Sequence, residues 1–202
     1  MKGLIFAFAT TVCMFVQLQA AADTPNEFIG GIVDELTKSM EGRREELLDD
    51  SATLHALIDE VLLPRFDQQG FASSILREHW KTASEDQQTR FIAAFYSVLL
   101  HRYAKRLIDI KLDTINILPF RGSTNKPVVV VKTRVDLIDG TDATLNYILI
   151  PRESSWWIID VKINGASYVT NLRTQFGQEI DDTSFDELIE RLEAETSGDS
   201  GE

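Results

Sequence analysis

Catalysis needs a reactive group with an activator beside it, so histidine, cysteine and clustered carboxylates are the side chains to place first. The three histidines, His55, His79 and His101, each fall in a helical pattern, and none has another His or Cys at ligand spacing. Structural or surface roles suit them better than metal ligation. No glycine-rich phosphate loop, G-x-S-x-G elbow or H-E-x-x-H pair is present. The acidic pairs Asp49-Asp50 and Asp181-Asp182 precede expected helices, where capping and the helix dipole account for them more simply than a metal does. Asp160 is the carboxylate with most to offer, because it sits between Ile159 and Val161 on an expected strand. Alternation puts it opposite the apolar face, together with Lys162. One reading bonds it to a neighbouring helix end. The other makes it the general base of a small isomerase or hydrolase.

The elements that must position these groups fall into two halves. Before residue 109 the apolar residues recur at helical spacing, and after it they alternate. Phe28, Ile32, Val33, Leu36 and Met40 form a first stripe across Gly30-Gly31. Ser51 is the expected cap of a second helix carrying Leu54, Leu57, Ile58, Val61 and Leu62, which Pro64 stops. Phe71, Ile75 and Leu76 mark a third, ending near Trp80. Ser84-x-x-Gln87 is a capping box that opens a helix of about two dozen residues, with Phe91, Phe95, Val98, Leu99, Arg102 and Tyr103 on one side. Strands are expected at Ile110–Leu118, Val128–Leu137, Thr141–Ile150 and Trp156–Ile163, with turns at Asp139-Gly140 and Asn164-Gly165. A short helix over Tyr168–Phe176 and a last one opened by Ser184-x-x-Glu187 follow, and the tail from Thr196 reads as disordered. Short connections favour antiparallel pairing, so the fold class is α+β, with helices on one face of a curved sheet.

Apolar side chains are what this chain supplies in quantity. Val129, Val131, Val135, Leu145, Tyr147, Leu149, Trp157, Ile159 and Val161 are expected to share one sheet face, with Phe91, Phe95, Leu99 and Tyr103 directed towards them. Periodicity alone leaves open whether they fill a core or line a hollow.

Composition narrows the partners. The 202 residues carry 20 Lys and Arg against 32 Asp and Glu, a net charge of −12, with no basic cluster to grip phosphates, so nucleic acid is excluded. Residues 1–22 have Lys2, an apolar run from Leu4 to Leu18 and Ala20-Ala21-Ala22, the layout of a cleaved export signal. The apolar run is shorter than the roughly 20 residues of a spanning helix. Cleavage before Asp23 removes Lys2 and the only cysteine, Cys13, which leaves a mature chain at −13 with no thiol chemistry. Residues 23–195 then form one exported domain.

Taken in order, Leu62-Leu63-Pro64-Arg65-Phe66-Asp67, Trp80-Lys81-Thr82-Ala83-Ser84, Gln87, Phe91, Phe95, Tyr103, Trp156-Trp157-Ile158-Ile159-Asp160-Val161, Gly165-Ala166-Ser167-Tyr168 and Asn171-Leu172-Arg173-Thr174-Gln175-Phe176 make a pattern. The chain resembles the MlaC, or toluene-tolerance (Ttg2-type), family of periplasmic phospholipid-binding proteins from about Thr24 to Leu192. Arg77 departs from it, standing where many members have Gly. The resemblance implies an NTF2-like fold (that of nuclear transport factor 2) with added helices and an internal apolar cavity. It implies phospholipid as cargo, no catalytic residue, no metal and no cofactor. It also implies exchange with an outer-membrane lipoprotein complex and an inner-membrane ABC transporter, by a monomer that does not insert stably into membranes. The apolar cavity would then be lined by Phe91, Phe95, Leu99, Tyr103, Val129, Val131, Val135, Leu145, Tyr147, Leu149, Ile159 and Val161. Arg102, Lys105 and Arg106 are candidates for a basic rim near its mouth. The alternatives are the Asp160 enzyme and a lipid-free exported adaptor with a filled core.

Overall fold

Thr24 opens the first helix with a reciprocal cap that satisfies two otherwise unpaired amides: Thr24 N donates to Glu27 Oε2 at 2.8 Å and Glu27 N to Thr24 Oγ1 at 3.3 Å. These hydrogen bonds hold the Glu27 carboxyl below its usual pKa. The computed structural model describes residues 23–153 and 155–198, without the side chains of Leu100, His101, Tyr103, Lys105, Arg106, Thr196 and Ser197. The expected export signal therefore lies outside the described residues, as do residues 199–202.

Helix α1 (Pro25–Met40) buries Phe28, Ile29, Ile32 and Leu36. A short α2 (Arg44–Asp49), absent from the sequence expectations, leads into α3 (Ser51–Leu62). The cap of α3 is Asp50, one residue before the expected Ser51. Its Oδ1 accepts from Ala52 N at 3.1 Å and Thr53 N at 3.2 Å, and a carboxylate is the stronger acceptor for a helix N-terminus. A 3-10 turn at Leu63–Arg65 follows, and Asp67 then caps α4 (Gln68–Leu76). The expected continuous helix to Trp80 breaks at Arg77, whose φ of 51° and ψ of −111° suit glycine far better than arginine. This is the position where the family resemblance expected Gly. Beyond it lie α5 (Glu78–Thr82) and the long α6 (Glu85–Ile108), opened by the expected Ser84–Gln87 capping box.

The sheet is antiparallel throughout, in the order β1 (Asn116–Ile117), β2 (Val129–Asp136), β3 (Asp142–Arg152), β4 (Ser155–Ile163) and β5 (Ala166–Ser167). The expected strand Ile110–Leu118 shrinks to two residues. Ile110 makes only an isolated bridge to Leu137, and Leu112–Thr114 winds into a 3-10 turn closed by Thr114 Oγ1 donating to Lys111 O at 2.8 Å. Gly140 (φ 87°) turns β2 into β3, and Asn164 and Gly165 (φ 49° and 87°) turn β4 into β5. Helix α7 (Tyr168–Asp182) is longer than expected, and α8 (Phe185–Gly198) continues past Thr196.

Two cores result. The first joins one sheet face to α1, α2, α3 and the end of α6. The second, built from α4, α7, α8 and the first two thirds of α6, contains no strand residue, so not all the helices cover the sheet face as expected. Three ties close it: Arg173 donates twice to Ser74 O, Arg90 forks onto Glu193, and Arg191 forks onto Glu179.

Candidate functional site

Asp160 lies on the outer face of β4, and each of its carboxylate oxygens accepts a hydrogen bond. Ser167 Oγ donates to Oδ2 at 2.6 Å and Val169 N donates to Oδ1 at 3.1 Å. Ser167 is itself the cap of α7, accepting from Thr170 N at 3.0 Å. The residue therefore ties β4 to the start of α7. His79 Nε2 stands 3.6 Å from Asp181, His55 sits on α3, and the His101 side chain is outside the described part. Asp181 and Asp182 precede α8 as expected but do not cap it: they are the last residues of α7, and Ser184 caps α8 by accepting from Glu187 N at 3.1 Å. No group of three or more His, Cys, Asp or Glu stands at metal-binding distance among the described residues.

The inner sheet face follows from the pairing. Val129 lies opposite Leu149, Val131 opposite Tyr147, Thr133 opposite Leu145 and Val135 opposite Ala143. On the other side Tyr147 pairs Val161, but Leu149 pairs Ile158, because a register shift after Ile148 leaves Ile159 as an extra residue in β4. The bulge reverses the facing of everything before it. Trp156 and Ile158 are therefore the buried members of β4, and the expected Trp157 and Ile159 are not part of this face. Trp157 instead carries the Arg152 guanidinium 4.2 Å above its ring, while the Trp156 indole N–H donates to Asp23 O at 2.7 Å.

Burial across the face is uneven. Val129, Val131, Val135 and Leu149 are buried, yet Leu145, Tyr147 and Val161 are only half-buried although β3 is the central strand. Burial nevertheless pushes the Tyr147 hydroxyl pKa up, opposed by a hydrogen bond with Thr133. Leu62, Phe66, Leu107, Leu112, Ile117 and Phe120 pack around the same core and are likewise only partly buried.

Phe91, Phe95 and Leu99 do not reach this face. Phe91 and Phe95 stack at 5.6 Å in the helical core, where Phe176 meets both rings edge-on, and Leu99 packs against the same cluster. A 24-residue helix is about 36 Å long, so one stripe can serve two cores. The part of α6 that meets the sheet core is Ala104, Leu107 and Ile108. Continuing the same stripe by three or four residues finds them in the sequence. The Tyr103 side chain lies outside the described part. Arg102 is held by Glu195 at 2.6 Å rather than standing free as a rim cation.

Among the described residues, two surface clefts stand out. One, about 510 Å³, lies between residues 118–126 and β2; the other, about 630 Å³, lies beside the Leu63–Gly70 turn with Trp80 and Trp157. No helix among the described residues is long and apolar enough to cross a membrane.

The fold is α+β, with an apolar sheet face on which Leu145, Tyr147 and Val161 are half-buried. The MlaC protein family matches residues 31–194, and the chain belongs to that family, one of lipid-binding transport proteins rather than enzymes. The toluene tolerance protein ttg2D of Pseudomonas putida is 24% identical over 176 residues, 87% of this chain and 80% of that protein. The intermembrane phospholipid transport system binding protein MlaC of Haemophilus influenzae is 18% identical over 196 residues, 96% of this chain and 92% of that protein. Among solved structures, the phospholipid-binding protein of Ralstonia solanacearum, in complex with a phospholipid, shares the fold at a TM-score of 0.77 and 22% identity. The likeness covers 89% of this chain and 98% of that one.

Proposed function

We propose that this chain is a periplasmic phospholipid carrier of an Mla-type intermembrane transport system. It holds acyl tails against the inner sheet face and exchanges lipid between an outer-membrane complex and an inner-membrane ABC transporter, which maintains the lipid asymmetry of the outer membrane. The family match over most of the chain carries this reading. The half-buried Leu145, Tyr147 and Val161 support placing the tails on the central strand, between the sheet and the end of α6.

The chemistry fits the role. Carrying a two-chain lipid through water exposes about thirty methylenes, which costs on the order of 20 kcal/mol at ~0.8 each. A carrier has to enclose them, and an apolar wall discriminates one methylene only weakly, so chain length is tolerated. The acidic surface of the mature chain is repelled by anionic membranes, so collection and delivery proceed by docking on protein partners.

Native mass spectrometry of the mature protein purified from periplasm tests the reading. Masses displaced by one phospholipid are expected, with negligible transfer between anionic vesicles unless partner complexes are added. A bare mass that takes up no lipid on addition would sink the carrier and favour the adaptor.

A further inference from the structure

The edge of the sheet at β2 is only partly closed. β1 covers it at Arg134 and Thr133, and one further bond, Leu118 N to Lys132 O at 2.9 Å, extends the ladder. The chain then leaves at Pro119. In an antiparallel ladder alternate residues direct their amide and carbonyl to one side. Lys132 uses that side towards Leu118, so the next residue facing the open edge is Val130. The cleft of about 510 Å³ lies along this edge, between Leu118–Ser123 with Lys126 on one wall and Val128–Val130 with Lys132 on the other.

Two features of the cleft point to an occupant. Its apolar residues are unusually open, with Leu118 at 37%, Val130 at 39% and Val128 at 43% exposure. Its charged residues, Arg121, Lys126 and Lys132, are all cations, in a chain whose net charge is −12. None of the three pairs with an acid among the described residues. By contrast Arg43, Arg44, Arg65, Arg90, Arg102, Arg152 and Arg191 all do. The walls are held in place independently of any occupant: Asn26 Nδ2 donates to Leu118 O at 3.0 Å, and the Phe120 ring lies over Gly122, where a Cβ would stand 2.7 Å from it.

We propose that this cleft receives an extended segment of a partner protein as an added strand on β2, and that the segment alternates apolar and acidic residues. Backbone bonds to Val130 supply affinity, and alternate side chains are read by the apolar floor and the three cations. A lysine on an edge strand commonly guards against unwanted pairing. Here the guard is of one sign, so it repels basic strands and favours acidic ones over neutral ones. It also rejects a second copy of this chain, because edge-to-edge contact would oppose the same three cations. This docking needs no lipid and stands or falls separately from the carrier reading.

The test uses the lipid-loaded protein and a ten-residue synthetic peptide alternating Val or Thr with Glu. Saturable binding is expected, with slowed hydrogen exchange at the amides of β2. Methylating the peptide amides that face the protein is expected to weaken binding at least tenfold without altering the protein, as is substituting its Glu by Lys. R121E/K126E/K132E is expected to do the same while the melting temperature stays put. Several results would overturn the proposal: no saturation at millimolar peptide, equal affinity of the methylated peptide, self-association of the protein through β2, or protection of β2 by anionic vesicles in place of the peptide.

Discussion

Helix α6 runs through both cores, and they are finished differently at its two ends. Around its first two thirds, Phe71, Phe91, Phe95 and Phe176 are all buried, with ring centroids 5.6–6.1 Å apart in stacked and edge-on pairs. Around its last turn, the sheet core is sealed at Val131 and Leu149 but leaves Leu145 and Tyr147 on the central strand, and Val161 on β4, with accessible surface. A filled aromatic core fixes the relative positions of four helices. On the proposed reading, the half-buried part of the sheet face is where the cargo lies. The same residue classes, in the same kind of stripe, thus form a packed scaffold at one end of a helix and, on the proposed reading, a binding surface at the other.

The largest separation between the two regions is expected from Phe95→Ala. Truncating a buried ring in the filled core costs about 3–5 kcal/mol, read by denaturant unfolding, while the lipid bound per folded molecule stays unchanged. Next comes Val131→Trp. Val131 is 1% exposed, so the added volume is expected to overpack and cost about 1–3 kcal/mol. A melting temperature unaffected by this change would show that the hollow extends under β2. The smallest effects come from two tyrosine hydroxyls, those of Tyr96 and Tyr147. The Tyr96 hydroxyl, in the helical core, has no hydrogen-bond partner among the described residues, whereas that of Tyr147 bonds with Thr133. Tyr96→Phe is therefore expected to leave stability at pH 7 unchanged or slightly raised, and Tyr147→Phe to lower it by about 0.5–1.5 kcal/mol. Burial raises both hydroxyl pKa values, with the Asp67 charge adding to the rise at Tyr96. The unfolded chain then loses these protons first, so the stability they contribute is complete below about pH 10 and is lost as pH rises towards the folded values. Either Tyr→Phe variant is expected to flatten that alkaline loss, measured by unfolding at pH 7 and pH 10.5.

Much of this was legible in the residues, and the failures have local causes. The Ser84 capping box, the Asp139-Gly140 and Asn164-Gly165 turns and three of the long strands follow directly from local chemistry. The face of β2 and β3 followed from alternation, because nothing interrupts it between Val129 and Leu149. β4 defeated the same rule through one extra residue: Ile159 is apolar and β-branched, so it carries no mark of the bulge that moves burial to Trp156 and Ile158. The destination of Phe91 and Phe95 depends on where α4, α7 and α8 meet, and a helical stripe cannot report which partner it faces. Arg77 shows the opposite: a residue type that argues against the break at which it stands, visible only against the Gly expected there.

The central claim is that the sheet side holds cargo space while the helical side is filled, and Leu145→Trp tests it most directly. Leu145 lies on the inner face beside Tyr147 and is only half-buried. Bound phospholipid and melting temperature are measured together on the same preparation. The account predicts that the protein stays folded with a nearly unchanged melting temperature in the lipid-free state, while phospholipid occupancy falls at least tenfold as the indole takes the place of the tails. Full lipid occupancy combined with a lowered melting temperature would contradict it, because Leu145 would then belong to a packed core.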